Sequence, residues 1–181
     1  MTIIKYRLLI LLTSALFLGN ITALSGNISL NGKWQLSYWK QPSKPVVTPQ
    51  AINDMQVEKI DASVPGNVEL DLMAACLIPD PMIGSNVNTL RKYENYQWCY
   101  TKTFEAPLVQ EGQRVELFFG GIDCLADIWL NGEKVGEAAN MLIEHKYDVT
   151  DFLKRGENTL QVIIRSAVME AQKHTLGTIS I

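Results

Sequence analysis

The residues able to do chemistry are few, and their spacing rules out more than it specifies. Two histidines, His145 and His174, stand in no metal-binding spacing such as HExxH, so a surface or sheet-edge role is the simpler expectation for each. Neither a GxSxG elbow nor a phosphate-cradling glycine loop occurs, which leaves serine-based hydrolysis and nucleotide binding without a motif. Carboxylates could serve glycoside hydrolysis, which needs two of them facing each other across a sugar, roughly 5–9.5 Å apart. Glu69, Asp71, Asp80, Glu94, Asp123 and Asp127 are the central candidates, and no pairing among them is specified by spacing. Glu69 and Asp71 are sufficiently explained as first-turn helix charges. Asp127, beside Ile128, reads as the outward residue of an alternating strand.

Trp34, Trp39, Trp98 and Trp129 could offer flat faces to the C–H bonds of a pyranose. The alternation around Trp34 and Trp129 puts both at core or half-core positions, where aromatic rings dominate burial. Trp98, next to an irregular segment, is the best placed of the four for a binding edge. Cys76, Cys99 and Cys124 are odd in number and lack a CxxC spacing, so packed thiols are expected, with one bridge left open for an exported chain. Nothing in this inventory calls for a metal or a cofactor.

The elements that must hold these side chains read mostly as strands. "SLNGKWQLSYW" alternates around Trp34, Leu36 and Tyr38. A polar, proline-bearing loop follows from Lys40 to Ala51, then a strand over Met55–Ala62. "QWCYTKTFEAP" is a strand that stops at Pro107, and "RVELFFGGI" alternates Val115, Leu117 and Phe119 before Gly120 and Gly121 mark a bulge or bend. In "ADIWLNGEKVGE", Asn131 and Gly132 supply the two positive-φ residues of a tight hairpin joining Ala126–Leu130 to Glu133–Glu137. Thr150 or Asp151 opens a helical turn closed by Gly156, and "TLQVIIRSA" is a last long strand. Short strands separated by turn signals predict an all-β antiparallel sandwich, with jelly-roll order the preferred topology.

One segment breaks this pattern. "VPGNVELDLMAACLIPDPMIGSN" carries three prolines and two glycines. Asn67 is expected to cap a short helix with Val68, Leu72 and Ala75 on one face, which Pro79 and Pro81 then forbid from continuing.

At the start of the chain, Lys5 and Arg7 precede the apolar run Leu8–Leu18, with small residues at Thr22, Ala23 and Ser25. Residues 1–23 read as a secretory signal peptide. A membrane anchor is the rival, but the run is short of the roughly 20 apolar residues a crossing helix needs and is broken by Thr13, Ser14 and Asn20. Residues 24–181 then suffice for one domain burying about 70% of its unfolded surface. The expected location is periplasmic or secreted, with no membrane attachment after cleavage. The balance of 16 basic to 19 acidic residues argues against a nucleic-acid partner.

Taken in order, "SLNGKWQLSYW", the proline-rich segment, "YENYQWCYTKTFEAP", "ELFFGGIDCLADIWLNGEKVG" and "NMLIEHKYDVTDFLKRGENTLQVIIRSA" resemble the N-terminal domain of glycoside hydrolase family 2, and its β-mannosidases in particular. The resemblance runs from about Ser29 to Ala167. It implies a galactose-binding-like jelly-roll β-sandwich with a short helix in a long Pro/Gly-rich excursion, packed near the face that meets a catalytic barrel. It implies a left-handed residue at Cys76, where such relatives usually have glycine. The β-galactosidase branch has an asparagine shortly before the Cys-Tyr pair that reaches substrate, and Asn95 holds that place; the plainer alternative is a residue that turns the chain before a strand. The family's catalytic glutamates lie on a (β/α)8 barrel of about 200 residues or more, for which this sequence has no room, and no Asn-Glu dipeptide occurs. The expectation is a sugar-binding accessory domain without catalytic residues, for which carbohydrate and a barrel domain are the implied partners and a stand-alone carbohydrate-binding module the alternative.

Overall fold

The computed structural model describes residues 2–8, 26–106 and 109–173; His174 and most of the segment read as a leader lie outside them. Among the described residues, ten strands form two antiparallel sheets. The strands are β1 (Thr2–Leu8), β2 (Asn27–Ser29), β3 (Gly32–Lys40), β4 (Glu58–Val64), β5 (Tyr96–Ala106), β6 (Gln113–Phe119), β7 (Ala126–Leu130), β8 (Glu133–Ala138), β9 (His145–Asp148) and β10 (Gly156–Ile164). The larger sheet runs β4-β3-β5-β10-β7-β8 and the smaller β2-β1-β6-β9. Three short helices, α1 (Pro49–Asn53), α2 (Val68–Ala74) and α3 (Ala167–Ala171), and two 3-10 turns (Asn86–Tyr93 and Thr150–Phe152) complete the described chain. No helix among the described residues is long and apolar enough to cross a membrane.

Alternation explains the packing. Leu36, Ile128, Leu160 and Val162 of the larger sheet face Val115, Leu117 and Phe119 of the smaller one, all buried in one cluster, as the side-chain period of a strand requires. The hairpin forms as predicted: Asn131 and Gly132 take φ of 56° and 84°, and the Asn131 side chain accepts from Thr159 N (3.0 Å) and donates to the Phe152 carbonyl (2.8 Å). The chain bends at Gly120, immediately after β6.

Three expectations are corrected. The span Lys40–Ala51 is not all loop: Thr48 accepts from Ala51 N at 3.3 Å and Pro49 opens α1, a proline position that loses no helical hydrogen bond. Ile52 of α1 covers the outer face of the larger sheet, where Trp39, Cys99 and Ile163 form a second apolar cluster. The following strand consequently starts at Glu58 rather than Met55. Asp127 does not point to solvent; it is 3% exposed, with Lys134 Nζ at 2.6 Å and Arg165 Nε at 3.5 Å. Cys99 is buried, Cys124 half-buried and Cys76 exposed, and all three are free thiols.

Candidate functional site

The site grows from α2. Asn67 caps the helix by accepting from Leu70 N at 2.9 Å, which fixes where its first turn begins. Val68, Asp71 and Leu72 then share the inner face, so Asp71 is carried into the protein and is 5% exposed. Its carboxylate accepts from Ser63 N (3.0 Å) and from the Tyr100 hydroxyl (3.1 Å), tying α2 to β4 and β5. Burial pushes the Asp71 carboxyl up from its ordinary range, while the Ser63 amide and the Tyr100 hydroxyl pull it back. The Tyr100 phenol is pushed up, by burial first and then by the charge on Asp71. Past the helix, Cys76 takes φ of 58°, the left-handed turn the family resemblance implies. Its amide donates to the Met73 carbonyl at 2.9 Å and that of Leu77 to the Leu72 carbonyl at 2.9 Å, satisfying carbonyls left free at the helix end.

Against α2 lies a cavity of about 680 Å³. Trp34, Trp98 and Phe119 form part of its wall, and Asn67, Glu69, Arg91 and Glu94 add polar groups to it. Tyr93, Tyr96 and Trp98 of the wall meet one another, and Tyr38, which is not in the lining, packs against all three. Tyr93 and Tyr96 lie edge to face at 5.2 Å, and Trp98 is 5.7 Å from Tyr38 and 5.9 Å from Tyr93, separations at which aromatic pairs attract beyond simple burial. The Tyr38 hydroxyl donates to Glu58 Oε2 at 3.0 Å; burial, then that carboxylate, pushes its pKa up to about 12, so it remains a donor at neutral pH. Apolar ring faces with a few polar groups at a mouth suit a ligand with a hydroxylated edge and a C–H face.

The two residues singled out from sequence fall differently. Trp98 is in the cavity wall, 8% exposed, so that any contact it makes with a ligand is from inside the cavity. Asn95 is exposed and does not line the cavity. The turn that bears it is nonetheless held firmly: the Asn95 carbonyl accepts from Gln41 N (2.8 Å), the Glu94 carbonyl accepts from Ser166 Oγ (2.5 Å), and Gln41 Oε1 accepts from Ser166 N (2.8 Å). Of the other carboxylates, Glu69, Glu94 and Asp123 line the cavity. His145 lies apart, its Nε2 2.8 Å from the Asn140 carbonyl and its ring stacked on Tyr147. No cluster of three or more His, Cys, Asp or Glu residues suited to a metal occurs among the described residues. Asp71 stands among the candidate carboxylates but is explained from sequence as a first-turn helix charge, and Gln41 is not singled out there. The signal for the inward placement of Asp71 is its position three residues after Val68 and beside Leu72, on the apolar stripe rather than opposite it.

Comparison with known proteins agrees with this architecture. Residues 39–177 match the family described as glycosyl hydrolase 2 galactose-binding domain-like. The chain is 40% identical over 109 residues to "Beta-mannosidase B" of Thermothelomyces thermophilus, covering 60% of this chain and 13% of that protein. It is 31% identical over 164 residues to "Beta-mannosidase" of Mus musculus, covering 90% of this chain and 17% of that one. Among solved structures, the β-D-mannosidase of Dictyoglomus thermophilum superposes with a TM-score of 0.67 at 35% identity, over 83% of this chain and 17% of the other. The chain thus spans between 13% and 17% of the length of these relatives.

Proposed function

The chain belongs to the glycosyl hydrolase 2 galactose-binding domain-like family, and on that premise we propose that it is the sugar-recognising accessory domain of a secreted, β-mannosidase-like protein that hydrolyses terminal β-glycosides. The observation that carries this reading is the cavity beside α2, whose Trp34 and Trp98 faces and Glu69, Arg91 and Glu94 groups match the amphipathic surface of a sugar. Trp98 is assigned to the wall that a glycan packs on. Asn95, presented on a clamped turn with its side chain outward, is assigned to reach a glycan held at a barrel surface. The exposed Leu77, Met82, Ile83 and Val87 of the excursion are the apolar face expected to pack on such a barrel. Removal of residues 1–23 as a leader delivers the domain to the periplasm or outside the cell.

A stand-alone carbohydrate-binding module is the second reading, favoured by a cavity that residues of this one chain line by themselves. Calorimetry with manno-oligosaccharides separates the two. The accessory reading expects no release of p-nitrophenol from p-nitrophenyl β-mannoside by this chain and a dissociation constant weaker than about 1 mM, which corresponds to about −4 kcal/mol. Tighter binding that Trp98→Phe weakens would establish the stand-alone reading; turnover of the mannoside would overturn both.

A further inference from the structure

Alternation along a strand gives the larger sheet two surfaces, and β3, β5 and β10 line a cavity on each. Trp34, Trp98, Tyr100 and Val162 point inward to the cavity beside α2, whereas Ser37, Thr101 and Gln161 of the same three strands point to the outer face. Register gathers the outward set: Gln35 lies opposite Thr101, Ser37 opposite Cys99, and Thr101 opposite Gln161. These residues floor a second cavity of about 510 Å³, walled by Ile52 and Asn53 of α1 and by Met55, Gln56 and Val57 after it. That volume falls within the range of small-molecule sites, about 300–1,000 Å³.

The polar groups of this floor point to the class of ligand. Ser37 is 5% exposed and lines the cavity, yet its hydroxyl is bonded to no described residue; a buried hydroxyl without a partner is costly. The Gln161 side chain makes only a long contact from Nε2 to Cys99 Sγ, at 3.9 Å, so its carbonyl oxygen is available to a donor. Among the described residues of the lining none is a carboxylate, and Lys59 alone is cationic. Burial pushes the Cys99 thiol up to about 11, so it adds no charge at neutral pH. A metal cation would meet no anionic oxygen there, and an oxyanion a single exposed ammonium. What the floor offers instead is amides and hydroxyls, which both donate and accept, beside the aliphatic surface of Met55 and Val57. That pairing matches the vicinal hydroxyls and the C–H face of an uncharged pyranose.

We propose that the outer-face cavity beneath α1 binds a neutral oligosaccharide, with the Ser37 hydroxyl and the Gln161 side-chain amide bonded to ring hydroxyls and with Met55 and Val57 packed on its C–H surface. The domain then carries carbohydrate on both faces of its larger sheet. The class of ligand follows the sugar reading given above, but the two cavities share no lining residue, so either can fail without the other.

Two-dimensional NMR of the full chain, titrated with β-linked mannotriose, reads both cavities at once. The side-chain amide signals of Gln35, Asn53 and Gln161 are expected to shift saturably, with a dissociation constant of about 1–10 mM. Ser37→Ala and Gln161→Leu are each expected to weaken that response by about three- to tenfold, the effect of one lost hydrogen bond, and to leave the response of the Trp98 indole as it was. Gln161→Leu carries the test alone if Ser37→Ala unfolds the chain. Inorganic phosphate at the same concentrations is expected to leave the three amides unmoved. Absence of a saturable shift at these amides, titration of the folded variants equal to that of the parent, or a response to phosphate in place of mannotriose overturns the proposal. Movement of the Trp98 indole alone overturns it while leaving the proposed function standing, and movement of the outer amides alone supports it while counting against the cavity beside α2.

Discussion

The two sheets differ in what holds them together. Every strand of the larger sheet lies between Gly32 and Ile164, and its centre is a long antiparallel pairing in which β10 matches β5 from Gly156 opposite Ala106 to Ile164 opposite Trp98. The smaller sheet depends on β1, a segment far from its neighbour β6 in sequence and lying within residues 1–23, which the proposed function takes as a leader. One sheet is complete within a continuous stretch of chain. The other is complete only while an independent strand is in place. Stability should accordingly be concentrated in the larger sheet, with the β1 position as the place where the sandwich opens first.

The largest effect expected from this contrast is at the centre of the larger sheet. Leu160 is fully buried between β5 and β7, and Leu160→Ala should cost about 2–5 kcal/mol through lost burial and a cavity, read as a shift in the urea midpoint. Hydrogen exchange should accelerate in both sheets together, since both pack on that side chain's cluster. A response confined to β10 and its neighbours would mean that the larger sheet is not the common foundation.

A smaller effect is expected where α2 is tied to that sheet. Tyr100→Phe removes one of the two donors to the buried Asp71 carboxylate, and losing a hydrogen bond to a buried group costs about 1–3 kcal/mol. The loss should be read by urea unfolding and should be accompanied by faster exchange of the Ser63 amide. If exchange at Ser63 is unchanged, α2 is held by Leu72 packing rather than by the carboxylate.

What the sequence made legible follows from the range of the forces involved. The Asn131-Gly132 hairpin, the Asn67 cap and the alternating core of β3, β6 and β10 are local or periodic signals, and all formed as expected. The helix at Pro49–Asn53 was hidden because its reason lies on the outer face of the sheet, where Ile52 meets Trp39 and Ile163. Asp127 misled because alternation treats an acidic residue as outward, whereas Lys134 from the adjacent strand and Arg165 after β10 neutralise it in place. At the candidate site, Trp98 was legible as an aromatic beside the irregular segment. Glu69 and Glu94 acquired their places in the cavity lining, and Asp71 its bonds to Ser63 and Tyr100, only through contacts between elements distant in sequence. Contacts between residues distant in the chain leave no periodic trace.

The smallest expected effect distinguishes the two regions by sign. Asp71, bound against the larger sheet, has a folded pKa raised above the ordinary 3.8 by burial. The folded protein therefore holds this proton more tightly than the unfolded chain, and the stability it adds is fully present below pH 3.8 and is lost as pH rises through the folded pKa. Asp148, on β9 of the smaller sheet, is lowered from 3.8 by the Thr150 hydroxyl, then the Thr150 amide, with help from Arg114. Its contribution is present above pH 3.8 and is lost as pH falls through its lower folded value. Urea midpoints measured across acidic pH should then respond in opposite directions: Asp71→Asn should flatten a decline in stability on the alkaline side of 3.8, and Asp148→Asn should flatten a decline on the acid side. Because Asp148 is more than half exposed, solvent screening makes its change the weaker of the two. Changes of the same sign in both variants would mean that the two carboxylates share one electrostatic environment, and the contrast between the sheets would not extend to their charges.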